Sequence, residues 1–193
     1  MSTNENSREV AQRLFAEELQ NSTFQFKESD EEMAPNYLLL NSGAVANRVL
    51  IVGAITEKTN VGQEKENWRG RINDPTGNVF IYASHFQPET AAILREIEPP
   101  EYLAIVGKPN TFENDDGEVM VNIRPESITV VDEETRDNWV LETAEDTLDR
   151  LANYEGSEFD VEDGNLSVPF HYGEEQQDEL LKAVIEALED FEE

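Results

Sequence analysis

Aromatic rings and guanidinium groups are interleaved over residues 68–82. Trp68, Arg69 and Arg71 come first, then the turn Asp74-Pro75-Thr76-Gly77, then Phe80 and Tyr82. That combination suits one chemistry. Rings stack on bases, worth about 1–3 kcal/mol per base, and cations track phosphates. Phe86, Lys108, Phe112 and Arg124 continue the same residue types downstream. These nine side chains are the candidate nucleic-acid-binding set. The competing reading is barrel packing for each ring and a solubilising surface charge for each cation. Alternation separates some of them. In 78–83, Phe80 and Tyr82 share one face while Val79 and Ile81 share the other. An aliphatic interior therefore leaves the two rings outside. Trp68 alternates with Gly70 and Ile72, which leaves open a position facing the core.

Catalytic chemistry finds little support. The run Gly62 to Lys65 lacks the glycines of a phosphate-binding loop, and there is no Gly-x-Ser-x-Gly. His85 and His171 stand far apart in a chain with no cysteine. No metal site and no cofactor is expected, and the protein is not expected to be an enzyme. Asp115-Asp116 and Glu31-Glu32 read as solvated loop acids, since a cation site needs convergent oxygens.

The elements that position the candidate set follow from periodicity and turn chemistry. Arg48–Thr56 is strongly β-type, and Gly53 within it suggests a bulge or bend. Thr59–Glu66 is a polar loop. Trp68–Asn73 and Asn78–Ala83 form a hairpin whose Pro and Gly positions fit a type I turn. Gln87–Ile97 predicts a short helix, stopped by Pro99-Pro100. Tyr102–Gly107 is a fourth strand and Phe112–Gly117 a loop. Val119–Ile123 and Ser127–Val131 make a fifth strand interrupted at Pro125. This order, with the helix between the third and fourth strands, is that of the OB-fold, a five-stranded Greek-key barrel. The fold class is thus mainly β, with an N-terminal helix and C-terminal helices.

Three regions follow: an N-terminal helix and linker (1–44), the OB-fold (45–131) and a C-terminal helical region (132–193). The first helix spans 7–20, with Ser7 as N-cap and Ala11, Leu14, Phe15 and Leu19 on one face. Residues 21–36 read as a polar linker with a short strand at Thr23–Phe26. Tyr37–Leu40 is a small apolar patch. Glu133–Asn153 reads as a long helix ended by Gly156. Its stripe of Val140, Ala144, Leu148 and Leu151 either covers the barrel or docks onto a partner. Residues 157–173 are a hairpin or a linker. Glu174–Phe191 is a second amphipathic helix, with Leu180, Leu181, Val184, Ala187, Leu188 and Phe191 on its apolar side.

Charge sets the context. The chain has 193 residues, 14 basic and 43 acidic, for a formal net charge of −29. Disorder of such a chain would deplete apolar residues, yet 38% are hydrophobic. The acids are dispersed and lysine is scarce, which points to a halophile surface. At molar salt the Debye length is only about 3 Å, so self-repulsion is screened. The barrel region 46–131 holds eight basic and thirteen acidic residues, and the rest of the chain six and thirty. Most cations therefore lie where the candidate set lies. The polar start and the lack of a run of about 20 apolar residues predict a cytoplasmic protein without a membrane span.

The motifs Val-Gly-x-Ile (52–55), Trp-Arg-Gly-Arg-Ile-Asn-Asp-Pro-Thr-Gly (68–77) and Pro-Pro-Glu-Tyr-Leu-Ala-Ile-Val-Gly (99–107) resemble the single-stranded DNA-binding OB-fold of replication protein A and its archaeal relatives. With the acidity, the chain looks most similar to haloarchaeal replication-protein-A-associated proteins. The resemblance covers about residues 46–131. It implies single-stranded DNA binding in a replication and repair complex, beside a larger replication-protein-A-like OB-fold subunit. It also implies a helix after the barrel that bundles with partner subunits, the place that Glu133–Asn153 occupies. Two other readings use the same residues: a scaffold subunit whose barrel binds protein, and an RNA-binding OB-fold protein.

Overall fold

The computed structural model describes residues 9–27, 29, 34–154 and 172–191. In chain order the elements are β1 (Gln12–Arg13), α1 (Ala16–Asn21), β2 (Phe24–Lys27), β3 (Asn36–Leu39), β4 (Val45–Ala46), β5 (Val49–Asn60), β6 (Asn67–Asp74) and β7 (Gly77–Ser84). They continue with α2 (Pro88–Glu96), β8 (Glu101–Glu113), β9 (Val119–Val131), α3 (Glu133–Ala152) and α4 (Glu174–Glu189).

Five strands close a ring. β5 pairs antiparallel with both β6 and β8, β6 with β7, and β8 with β9. A short parallel pairing, Phe80 with Asn122 and Ile81 with Ile123, joins β7 to β9 and completes the circuit. This closed order, with α2 between the third and fourth barrel strands, is the OB-fold. Alternation fills its interior. Val49, Ile51, Ile55, Ile72, Val79, Ile81, Leu103, Ile105, Val121 and Ile123 are all buried. α2 adds Ala91 and Leu94 to the same core.

Coiling of the strands comes from two bulges. One lies in β5 between Ile55 and Glu57, not at Gly53. Gly53 instead admits a neighbouring strand. A Cβ there would sit 2.4 Å from the Asn73 carbonyl oxygen, so the close approach of β6 requires glycine. The second bulge faces Val106 and Gly107 and leaves Glu126 of β9 unpaired in the ladder. Pro125 therefore does not interrupt the last strand. It sits at the bulge, opposite Gly107, where a missing N–H is tolerated.

The N-terminal region departs from expectation. Residues 12–13 are not helical but add a parallel strand to β5, and Leu14 and Phe15 turn into the core. The helix begins only at Ala16. Its N-cap residue, Phe15, has no polar side chain to receive the first N–H groups. The hairpin turn supplies the acceptors instead. Ala16 N–H donates to Asp74 Oδ2 at 2.6 Å and Glu17 N–H to Thr76 Oγ1 at 3.0 Å. The expected cap at Ser7 lies outside the described residues.

The short strand expected at Thr23–Phe26 within the 21–36 linker is present as β2, and with β3 and β4 it forms a three-stranded antiparallel sheet. Phe26 stacks on Tyr37 across it, 5.8 Å between centroids. Tyr172, just before α4, ties this sheet down: its hydroxyl donates to the Leu39 carbonyl and accepts from Phe24 N–H.

α3 does not present its apolar stripe to a partner. Val140 and Ala144 are buried and Leu148 and Leu151 pack against the same core, because the helix lies across β1, β5, β8 and α4. Trp139 meets Phe15 edge to face at 5.4 Å. Arg150 reaches the fully buried Glu18 of α1 at 2.6 Å, and Ser42 donates to the same carboxylate. Leu180, Val184 and Ala187 of α4 are buried, leaving Leu181 and Ile185 exposed. No described helix is long and apolar enough to cross a membrane. Gly156, the 157–171 stretch with His171, and Glu31-Glu32 lie outside the described residues.

Candidate nucleic-acid interface

Outward side chains form rows across β6, β7, β9 and β8. In one row Arg71 pairs with Phe80, Phe80 with Asn122, and Asn122 with Asn110. One outward step further along each strand lie Arg69, Tyr82, Arg124 and Lys108. Arg69 pairs with Tyr82, and Lys108 pairs with Arg124. Each row thus runs from a guanidinium over a ring to polar or cationic groups.

The second row opens onto a groove of about 820 Å³. One wall is the barrel, with Asn67, Tyr82, Lys108, Asn110, Asn122 and Arg124. The other is the β2–β3 hairpin, with Gln25, Lys27, Pro35 and Asn36. A hydrogen bond from Thr111 Oγ1 to Gln25 Oε1, 2.7 Å, fastens that hairpin to β8. Phe86 stands at one end, in the turn after β7, 78% exposed.

Electrostatics single out this groove. Arg13, Arg48, Arg69, Arg95, Arg136, Arg150 and Lys182 each hold a carboxylate within 4 Å. The contact with Glu126 holds the Arg48 guanidinium above its ordinary pKa. Lys58 donates to the Arg95 carbonyl and Lys65 lies 3.5 Å from His85 Nε2. Among the described residues, Lys27, Arg71, Lys108 and Arg124 have neither a carboxylate nor another acceptor. In a chain with 43 acids, cations without acids need a reason. Lys108 opposite Arg124 is moreover a like-charge cross-strand pair, which destabilises a sheet until an anion joins it.

The sequence-derived candidates divide accordingly. Arg69, Arg71, Phe80, Tyr82, Lys108 and Arg124 share the outer face, and Tyr82, Phe86, Lys108 and Arg124 line the groove. Arg69 is engaged on that face: its guanidinium lies 5.2 Å from the Phe80 ring and 3.2 Å from Glu57. Phe112 is exposed near the end of β8, opposite Met120 and beyond the groove. Trp68 is corrected. It shares the inward side of β6 with Gly70 and Ile72, packs half-buried against the core, and donates its indole N–H to Glu66 at 2.7 Å. The Lys58 ammonium covers its ring at 5.5 Å. Its ring is thus engaged within the chain, on the opposite side of β6 from Arg69 and Arg71. Of the expected partner-binding stripe, Val140 and Ala144 are buried in the chain's own core, and Leu148 and Leu151 pack half-buried against it.

Sequence reading missed Gln25, Lys27 and Asn36. A signal existed: Phe-Gln-Phe-Lys (24–27) alternates ring and polar side chain, as a one-face-buried strand does. The Asp74 turn also serves differently from expectation. Its carboxylate accepts from Ala16, from Thr76 twice and from Gly77. Burial outweighs these bonds and raises its pKa to about 6. The turn is a clamp between barrel and α1.

No family model and no curated protein matches this chain. Solved structures do. An OBody bound to hen egg-white lysozyme is 16% identical, with a TM-score of 0.39 over 44% of this chain and 80% of that one. The second single-stranded DNA-binding protein, SSBb, of Mycobacterium smegmatis is 14% identical, with a TM-score of 0.39 over 45% and 87%. Asparaginyl-tRNA synthetase from Pyrococcus horikoshii is 19% identical, with a TM-score of 0.37 over 44% of this chain and 19% of that chain. The fold class rests on this chain's own closed strand order, which makes it an OB-fold protein.

Proposed function

We propose that this chain binds single-stranded nucleic acid, single-stranded DNA foremost, along the outer face of β6, β7, β9 and β8. The observation that carries the reading is the opposed pair Lys108 and Arg124, without carboxylates among the described residues, in one groove with Tyr82. Phosphates relieve the like-charge repulsion, and Tyr82, Phe80 and Phe86 offer faces to bases. The strand is held without turnover, in the manner of a subunit of a replication-protein-A-like complex acting in replication and repair in the cytoplasm. A halophile setting fits the surface: salt screens the −29 net charge, and affinity leans on stacking because salt also weakens phosphate contacts. A companion subunit would meet α4, where Leu181 and Ile185 are exposed one turn apart, rather than α3. Binding of labelled oligo-dT in molar KCl, with single-stranded RNA and duplex DNA as controls, tests the reading. Preference for the DNA single strand is expected. Equal affinity for duplex, or none for any strand, overturns it.

A further inference from the structure

The wall of the groove opposite the barrel belongs to a separate sheet. Along β2 the side chains alternate. Phe24 and Phe26 share one face, where their rings stack 6.2 Å apart and Phe26 stacks on Tyr37 of β3. Gln25 and Lys27 share the other, and both line the groove. The hairpin thus turns a polar face to the strand site. Lys27 is exposed, and among the described residues it has no carboxylate. Cations therefore stand on both walls: Lys27 on one, Lys108 and Arg124 on the other. The place of Lys27 is set from two sides. Thr111 Oγ1 of β8 donates to Gln25 Oε1 at 2.7 Å, two residues back on the same face. Tyr172 bridges β2 and β3, donating to the Leu39 carbonyl and accepting from Phe24 N–H.

Resting on the reading of the groove as a single-strand site, we propose that the β2–β3 hairpin is its second jaw. The strand runs between hairpin and barrel, and Lys27 takes a backbone phosphate from the side opposite Lys108 and Arg124. Thr111 lines no part of the groove, so it acts as a positioning residue, through Gln25. Glu28 and Asp30-Glu31-Glu32 follow Lys27 in sequence and oppose a polyanion at low salt. At molar salt the Debye length is about 3 Å, so their longer-range repulsion is screened and direct contacts decide. A strand gripped from two sides leaves only when both jaws let go. The hairpin is therefore read in the release rate rather than the association rate.

Release of labelled oligo-dT in molar KCl, followed by stopped flow, compares wild type with Lys27→Gln, Thr111→Val and the double variant. Lys27→Gln should release the strand up to about fivefold faster, the range of one exposed ion pair. Its slope of log affinity against log salt should be shallower by about 0.7. Thr111→Val should also speed release in wild type and add nothing once Lys27 is replaced. Lys182→Gln, which removes a cation on α4, should release at the wild-type rate. Wild-type release by Lys27→Gln overturns the second jaw while leaving the barrel face as a strand site. Equal acceleration by Lys182→Gln reduces the effect to net charge and overturns it as well. Additive effects of Thr111→Val and Lys27→Gln overturn the positioning role. Failure of wild type to bind the strand removes the site reading and this inference with it.

Discussion

Lys108 on β8 and Arg124 on β9 face each other directly across the ladder, two cations with no carboxylate beside them among the described residues. Such a pair weakens the sheet by a few tenths of a kcal/mol or more in the unliganded protein. It becomes favourable only when an anion lies over both. Stability and binding therefore pull in opposite directions here. Lys108→Gln is expected to leave the urea midpoint unchanged or slightly raised while oligonucleotide affinity falls. The slope of log affinity against log salt should shrink by about 0.7, one phosphate contact on a single strand. A destabilised variant with wild-type affinity would assign Lys108 to structure.

Tyr82 and Trp68 are expected to behave as opposites. Tyr82→Ala removes an outward ring and should weaken strand binding by about 1–3 kcal/mol. Its circular dichroism should stay native. Trp68→Ala removes a ring packed half-buried on the core. It should lower stability by about 1–3 kcal/mol, less than a fully buried aromatic would cost. The folded fraction should keep its affinity. Chemical denaturation and anisotropy on both variants separate the two roles.

Asp74 gives a pH dependence whose sign is fixed. Its folded pKa, about 6, lies above the ordinary value of 3.8. A raised carboxylate pKa means that the folded state holds the proton longer than the unfolded state. Stability from this group is therefore highest below about pH 4 and declines as pH rises towards 6, by at most about 3 kcal/mol. Repulsion among the other acids moves with pH as well, so the readout is the difference between wild type and Asp74→Asn. That difference should change across pH 4–6.5 and stay flat above it. The variant also loses the acceptor for Ala16 N–H, a cap worth about 1 kcal/mol. A pH-independent difference would place the proton elsewhere.

Arg150 partners Glu18, whose side chain is fully buried between α1 and α3. Arg150→Met leaves that carboxylate unpaired and should cost about 3–5 kcal/mol in a urea melt. Restoring neutrality with Glu18→Gln in the same chain should recover part of the loss. A cost below about 1 kcal/mol would mean that water reaches Glu18.

What the sequence made legible were the elements whose pattern is local. The period of two in 78–83 put Phe80 and Tyr82 outside, while the same rule applied to Trp68, Gly70 and Ile72 left the facing of Trp68 open. The barrel order was readable because each strand is bounded by turn chemistry. Three things were not legible. Residues 7–20 have a helical period, but a long-range pairing of Gln12 with Val49 overrides it, and the helix waits for a cap from the Asp74 turn, 58 residues away. The stripe on α3 reads alike whether it covers its own barrel or a partner. Lys27 joined the groove only because β2 and β3 fold back over β8, a tertiary event that no local pattern encodes.

On the proposed function, the Lys108–Arg124 pair is held for a nucleic-acid strand. Anisotropy titration of labelled oligo-dT in molar KCl with wild type and Lys108→Gln/Arg124→Gln tests it most directly. Wild type is expected to bind the single strand in preference to duplex. The double variant should bind at least about tenfold more weakly, two lost phosphate contacts, with native circular dichroism and equal or greater stability. Equal affinity of the two proteins for the strand, or no binding by wild type, would contradict it.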